Sequence, residues 1–271
     1  FYDNDWHSVL VGGFRSGGKG YFSLDITDPN ASANKVVRWE FTDEADNDMG
    51  FSYGKAQIVR LNSGRWVAIV ANGYNSAEQK AVLYVLDISD GSIIKKITVD
   101  TAGDNGLSSP IAVSTNNDFN IDVVYAGDLK GNVWRFDLTS VNSTDWIYSK
   151  LFSTEGSRPI TGAITVGNHP ANLNGRVVYF GTGEYLQPSD LSDSATEYFY
   201  AIADNDSCLS ATACVHSSQL ISQTIDSAEK TGRTISNHRI DWQQDKGWRL
   251  PLSAINGVAE RVVGRPLLIG S

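Results

Sequence analysis

Between Ser114 and Asp122 the chain reads Ser-Thr-Asn-Asn-Asp-Phe-Asn-Ile-Asp, with oxygen-bearing side chains at Ser114, Asn116, Asp118 and Asp122. Alternate residues of a tight loop point toward one centre, so hydroxyl, amide and carboxylate oxygens can face a single hard cation. An all-oxygen set suits calcium, whereas zinc would want His or Cys. The same composition also fits a hairpin loop that binds nothing, because Asn, Asp and Ser favour turns for backbone reasons. Spacing alone leaves both readings open.

Other chemistry-bearing strings lose their meaning in context. Gly13-Phe14-Arg15-Ser16-Gly17-Gly18-Lys19 has the spacing of a phosphate-binding loop, but Gly20 stands where Ser or Thr is needed and a strand follows rather than a helix. Gly50-Phe51-Ser52-Tyr53-Gly54 matches a nucleophile elbow, which must open a helix, yet 55–61 alternates like a strand. His7, His169, His216 and His238 show no ligand spacing, and His7 is expected to pack within a strand. The acidic run 43–48 reads as a solvated loop, and Lys95, Lys96 and Arg135 as surface or hydrogen-bonding residues. No residue is assigned a catalytic role.

Cys208 and Cys214 share one polar loop, and no cysteine falls in an apolar strand. That placement favours a disulfide over two free cytosolic thiols. Closing so short a loop contributes about 2 kcal/mol by the chain-entropy model.

The elements that must hold these residues repeat along the chain. A strand ends in Leu/Phe-Asp-Ile/Leu-Thr/Ser at Leu24-Asp25-Ile26-Thr27, Leu86-Asp87-Ile88-Ser89 and Phe136-Asp137-Leu138-Thr139, with a degenerate copy running from Tyr198 to Asp204. Upstream of each lies a strand of small and aliphatic residues that ends in Gly: 7–13, 66–73, 122–127 and 176–181. A strand, a Gly-rich turn and a second strand make a hairpin. Further apolar runs at 56–61, 110–113 and 160–166 complete four-stranded sheets. A supersecondary unit recurring about every 50 to 60 residues points to propeller blades with long loop insertions. Small residues suit the crowded inner strands, while Trp, Tyr and Phe fill the wedges between blades. The fold class is therefore all-β: a β-propeller of four-stranded antiparallel blades spanning 1–271, with 204–246 as an inserted loop region. A start at Phe1 and an interrupted strand at 265–271 are expected of a piece of a larger propeller.

With 271 residues and 41% hydrophobic content, the chain can bury a sizeable core. Its net charge of −9 argues against a nucleic-acid partner, which would need a basic stripe. No apolar run reaches the roughly 18 residues of a membrane-spanning helix.

The run Tyr125-Ala126-Gly127-Asp128-Leu129-Lys130-Gly131-Asn132-Val133-Trp134-Arg135-Phe136-Asp137-Leu138 resembles the signature of the C-terminal propeller of the PilY/PilC family of type IV pilus-associated adhesins. Similar segments follow the family's order elsewhere, among them Asn72-Gly73-Tyr74-Asn75, Gly181-Thr182-Gly183 and Lys246-Gly247-Trp248. The resemblance implies a metal-binding loop just before Tyr125, shaped like the start of an EF-hand loop. Ser114, Asn116, Asp118 and Asp122 would then ligate Ca2+ through side chains and Asn120 through its backbone carbonyl, with water completing the shell. The family has Asp where this chain has Ser114 and Gly where it has Phe119, which implies a weak site, about 10⁻⁴ M or poorer.

The resemblance further implies a calcium switch between pilus extension and retraction, and roles in pilus biogenesis, twitching motility, adhesion and virulence. The implied partners are pilins or other pilus components and a host-cell receptor. The implied location is the bacterial cell surface, at the pilus tip or outer membrane, after export through the periplasm. Two alternatives compete. A quinoprotein dehydrogenase propeller shares aromatic and Gly-rich repeats, but needs a basic residue over the cofactor and a metal-bound carboxylate that this sequence does not supply convincingly. A bare scaffold propeller for outer-membrane assembly predicts no calcium effect.

Overall fold

The computed structural model describes residues 5–171, 175–206, 208, 212–229, 232–252 and 259–269. The chain divides into two compact units, Phe1–Asp128 with Arg135–Tyr148 and Leu129–Trp134 with Ser149–Ser271. Strands dominate both; one turn of α-helix at Ala33–Val36 is the whole α-helical content of the described residues.

Strands β1 (Val9–Gly13), β2 (Gly20–Asp25) and β3 (Val37–Thr42) form an antiparallel sheet in that order. Strands β4 (Gln57–Leu61), β5 (Trp66–Ala71), β6 (Ala81–Asp87) and β7 (Ile93–Asp100) form a second antiparallel meander. In the third, β8 (Ile111–Val113), β10 (Val123–Gly127), β11 (Asn132–Asp137) and β12 (Ile147–Ser153) pair in sequence. Between β8 and β10 the two-residue β9 (Asn120–Ile121) leaves that sheet and adds parallel to β4, with Asn120 opposite Arg60 and Ile121 opposite Leu61. In the fourth sheet β13 (Thr165–Asn168), β14 (Arg176–Gly181) and β15 (Glu197–Asp204) are joined by β16 (Ile221–Ser222) and β19 (Gly247–Leu252), in the order β13-β14-β15-β19-β16. A separate ribbon pairs β17 (Ile225–Glu229) with β18 (Gly232–Ile235).

Four-stranded blades were expected, and only the third sheet has four strands; the described residues give three in the first and five in the second and fourth. The surplus has a cause in each case. β9 caps the edge of β4, and β16, inside the 204–246 insertion, adds parallel to β19. The strand expected over 160–166 begins only at Thr165. Ile160 instead bridges Gly183, and Gly162 lies so near the Gly264 carbonyl that a Cβ there would stand 2.7 Å from it.

The repeated aspartate closes its strand with a local turn. Asp25, Asp87 and Asp137 each accept the backbone N–H two residues on, at 3.0, 2.9 and 3.1 Å, through one carboxylate oxygen. This is the Asx turn that makes Asp a chain-reversal residue. The other oxygen faces a basic group: His7 Nδ1 at 2.6 Å on Asp25, Arg65 at 2.5 Å on Asp87 and Arg135 at 3.2 Å on Asp137. In the degenerate copy, Asp204 accepts from the Asp206 N–H at 3.0 Å. These carboxylates are committed to the fold.

Burial follows the strands nearest the core. From Val67 to Ala71 and from Ala81 to Leu86 every residue is fully buried, as near-continuous apolar runs require. Tyr21, Trp39, Phe41, Val70, Tyr84, Leu86 and the single methionine, Met49, form one cluster between the first two sheets. Trp39 satisfies its indole N–H on the Ile88 carbonyl at 3.0 Å, and Tyr21 its hydroxyl on the Ala71 carbonyl at 3.1 Å. The second unit is centred on Phe152, Phe180 and Tyr200, whose ring centroids lie 5.1 to 6.1 Å apart.

Candidate metal centre

The candidate loop is held at both ends by strands of the first unit. β8 delivers Ser114, and β9 carries Asn120 away onto β4. Between them Asn117 and Phe119 adopt left-handed backbone, φ +62° and +67°. For Phe119 this costs on the order of 1 kcal/mol, and its ring is 92% exposed, so packing does not repay it.

Asp118 sits at the centre of the loop. Its Oδ1 accepts the Asn120 N–H at 2.8 Å, and its Oδ2 accepts the amide Nδ2 of Asn116 at 3.1 Å and of Asn120 at 3.2 Å. Asn116 Oδ1 accepts the Asp118 N–H at 3.0 Å and the Ser114 hydroxyl at 3.3 Å. The Asn120 N–H, helped by the Asn116 and Asn120 amides and the Ser114 hydroxyl, holds the Asp118 carboxyl below its ordinary range. The loop therefore gathers Ser114, Asn116, Asp118 and Asn120. Asn120 Oδ1 is buried and accepts no hydrogen bond.

Asp122 stands apart from this cluster. It is 3% exposed, its Oδ2 accepts the backbone N–H and the hydroxyl of Thr115, each at 2.7 Å, and its Oδ1 accepts Asn62 Nδ2 at 3.0 Å. Its backbone is tied too, donating to the Val113 carbonyl and accepting from the Leu138 N–H. Asn62 and Thr115 were not legible as site residues. Asn62 looks like an ordinary turn residue between β4 and β5, and its partner lies 60 positions along the chain.

Among the described residues no group of three or more His, Cys, Asp or Glu side chains is placed to hold a metal ion. As folded, the loop offers an ion neutral oxygens around the Asp118 carboxylate, and the Asp122 carboxylate would join them by exchanging a bond it now accepts from Thr115 or Asn62. In the acidic run 43–48, Asp43, Glu44, Ala45 and Asn47 are exposed as expected of a solvated loop, while Asp46 and Asp48 are drawn inward. Asp48 is 3% exposed, and Asp46 and Asp48 both contact Lys96 Nζ at 2.7 Å, with Lys80 at 3.2 Å from Asp48. Lys96, partly exposed, is one of the hydrogen-bonding residues expected there, with Asp46 and Asp48 as its partners. Ser52, at the centre of the elbow-like string, is buried and donates to the Gly20 carbonyl, and β4 rather than a helix follows it.

Residues 1–238 match the family described as the PilY1 beta-propeller domain. The chain belongs to that family. It is 33% identical over its whole length to a type IV pilus biogenesis factor PilY1 homolog of Xylella fastidiosa, covering 20% of that protein. It is 34% identical across 91% of its length to the type IV pilus biogenesis factor PilY1 of Pseudomonas aeruginosa, covering 24% of it. The chain thus spans about a fifth to a quarter of these relatives. The crystal structure of the P. aeruginosa PilY1 C-terminal domain superposes with a TM-score of 0.85 at 30% identity, covering 98% of this chain and 62% of that one. The fold is an all-β propeller.

Within this PilY1 propeller the β10–β11 turn shows what its glycine does. Gly131 has φ +76°, and a Cβ there would stand 2.0 Å from Thr154 Oγ1 and 2.4 Å from the Arg158 carbonyl. Cys208 and Cys214 form a disulfide with Cα atoms 5.7 Å apart; residues 209–211 between them lie outside the described residues. The bridge lies along β12, where Cys214 N–H donates to the Lys150 carbonyl at 3.1 Å and Val215 bridges Phe152. Among the described residues no helix is long and apolar enough to cross a membrane.

Proposed function

We propose that this propeller is a non-enzymatic, calcium-responsive module of a type IV pilus biogenesis protein at the bacterial cell surface. Ser114, Asn116, Asp118, Asn120 and Asp122 would supply the ligand oxygens. The observation that carries the reading is the gathering of three alternating polar residues, Ser114, Asn116 and Asn120, about Asp118, with Asn116 and Asn120 bonded to its carboxylate and Ser114 to Asn116. Two left-handed residues sustain that gathering, and backbone strain of this kind persists where the surroundings over-determine it.

When bound, calcium would supply a fixed positive charge that orders the loop. The protein's part is reorientation. The Asn116 and Asn120 amides now turn nitrogen toward Asp118, because that carboxylate is the anion within reach. Half a rotation of each amide presents oxygen instead: Asn116 Oδ1 would give up the bonds it accepts from Ser114 and the Asp118 N–H, whereas Asn120 Oδ1 accepts none, and Asn120 would also offer its backbone carbonyl. With few full charges the affinity is weak, about 10⁻⁴ M or poorer, in the range of extracellular modules. A ligand that favours one loop state shifts whatever that state engages. On this reading occupancy biases contacts with pilins or other pilus components, and through them pilus extension against retraction, twitching motility and adhesion to a host-cell receptor. Export through the periplasm fits a chain whose two cysteines are bonded.

Thermal melting with calcium and with chelator tests the proposal. The wild type is expected to melt higher in calcium, and Asp118→Ala to lose that rise. Identical melting of the wild type in both conditions would remove the ion from the account.

A further inference from the structure

The loop and the second sheet meet at Asn62. This residue lies in the β4–β5 turn, donates Nδ2 to Asp122 Oδ1 at 3.0 Å and lies within 3.3 Å of the Ile121 carbonyl. One residue earlier along β4, Leu61 pairs with Ile121 and Arg60 with Asn120. Asp122 is therefore a joint with four ties: Asn62 from the second sheet, Thr115 from the loop, Val113 from β8 and Leu138 from the end of β11. A loop that orders around an ion must pull on that joint, because Asn120 and Asp122 flank the single residue Ile121.

We infer that Asn62 is a positioning residue for the ion loop, and that ion binding is coupled through Asp122 to the docking of β9 on β4. The inference rests on the calcium reading above and adds where the ion's effect goes. Ordering the loop fixes Asn120 and Asp122, which seats β9 on the β4 edge; a seated β9 in turn presents Asn120 and Asp122 to the ion. Coupling of this kind is reciprocal: if calcium strengthens the junction, loosening the junction weakens calcium by the same factor. Asn62 is not among the proposed ligands, so any effect of its loss on affinity passes through the joint.

Calorimetric calcium titration of the full chain, with hydrogen exchange measured with and without calcium, tests this. In the wild type calcium is expected to slow exchange at 59–62 and 120–122 while β6 and β7 of the same sheet stay unchanged. Asn62→Ala is expected to weaken calcium binding by about 5-fold or more and to lose the calcium-dependent protection at 59–62. Asn62→Gln, which keeps an amide donor, is expected to recover affinity. Should Asn62→Ala fail to fold, Thr115→Val removes one donor to Asp122 from the loop side and is expected to weaken binding in the same direction. Wild-type binding with undiminished affinity in these variants, or with no protection at 59–62, overturns the coupling and leaves the ion site standing. Absence of any wild-type binding overturns both.

Discussion

Phe119 keeps a left-handed backbone at φ +67° with its ring 92% exposed, so the side chain pays nothing back for the conformation. Glycine adopts that conformation without a Cβ clash. Phe119→Gly is therefore expected to stabilise the chain by up to about 1 kcal/mol, read as a rise in urea midpoint at constant slope. A second residue-scale outcome concerns acid. Burial alone would raise the Asp87 carboxyl, but the Ser89 hydroxyl and N–H together with Arg65 outweigh it and hold it below its ordinary value. Asp137 is lowered in the same way by Thr139 and Arg135 against burial. A carboxyl depressed on folding contributes stability that is present above its unfolded value, near pH 4, and is lost as pH falls through the folded value. Stability is thus expected to fall steeply below about pH 4. Asp87→Asn, already lacking that charge, should show a shallower loss in acid melts.

At the scale of the element, the β10–β11 turn leaves no room for a side chain at Gly131. Gly131→Ala combines a positive φ with a Cβ placed 2.0 Å from Thr154 Oγ1, so its cost should exceed the roughly 1 kcal/mol of the backbone alone. Chemical denaturation of the variant checks this. Cys208→Ser with Cys214→Ser should lower stability by about 2 kcal/mol, the closed loop being only six positions long. Much of this level was legible in advance. The Leu-Asp-Ile-Thr pattern marks strand ends because Asp caps its own turn, and the near-continuous apolar runs at 67–71 and 123–127 mark strands flanked by neighbours on both sides and buried. What could not be read were the long-range ties. The two-residue β9, the Asn62 brace and the Asp46–Lys96 pair join residues 50 to 60 positions apart, and neither periodicity nor turn chemistry encodes such a pairing. The candidate loop shows the same division: Ser114, Asn116, Asp118 and Asn120 follow from alternation, whereas the setting of Asp122 depends on another sheet.

For the molecule as a whole, a net charge of −9 works against holding an anionic cofactor. Addition of pyrroloquinoline quinone is expected to give no bound chromophore after gel filtration, the outcome that separates a pilus module from a dehydrogenase propeller. On the proposed cell-surface location, the burial of Met49 has a consequence. The chain has three sulfur atoms: one is sealed in the cluster between the first two sheets, and two are joined to each other. Thioethers and free thiols are the side chains that peroxide and hypochlorous acid attack first. Peroxide should therefore leave the folded molecule's mass unchanged until it unfolds.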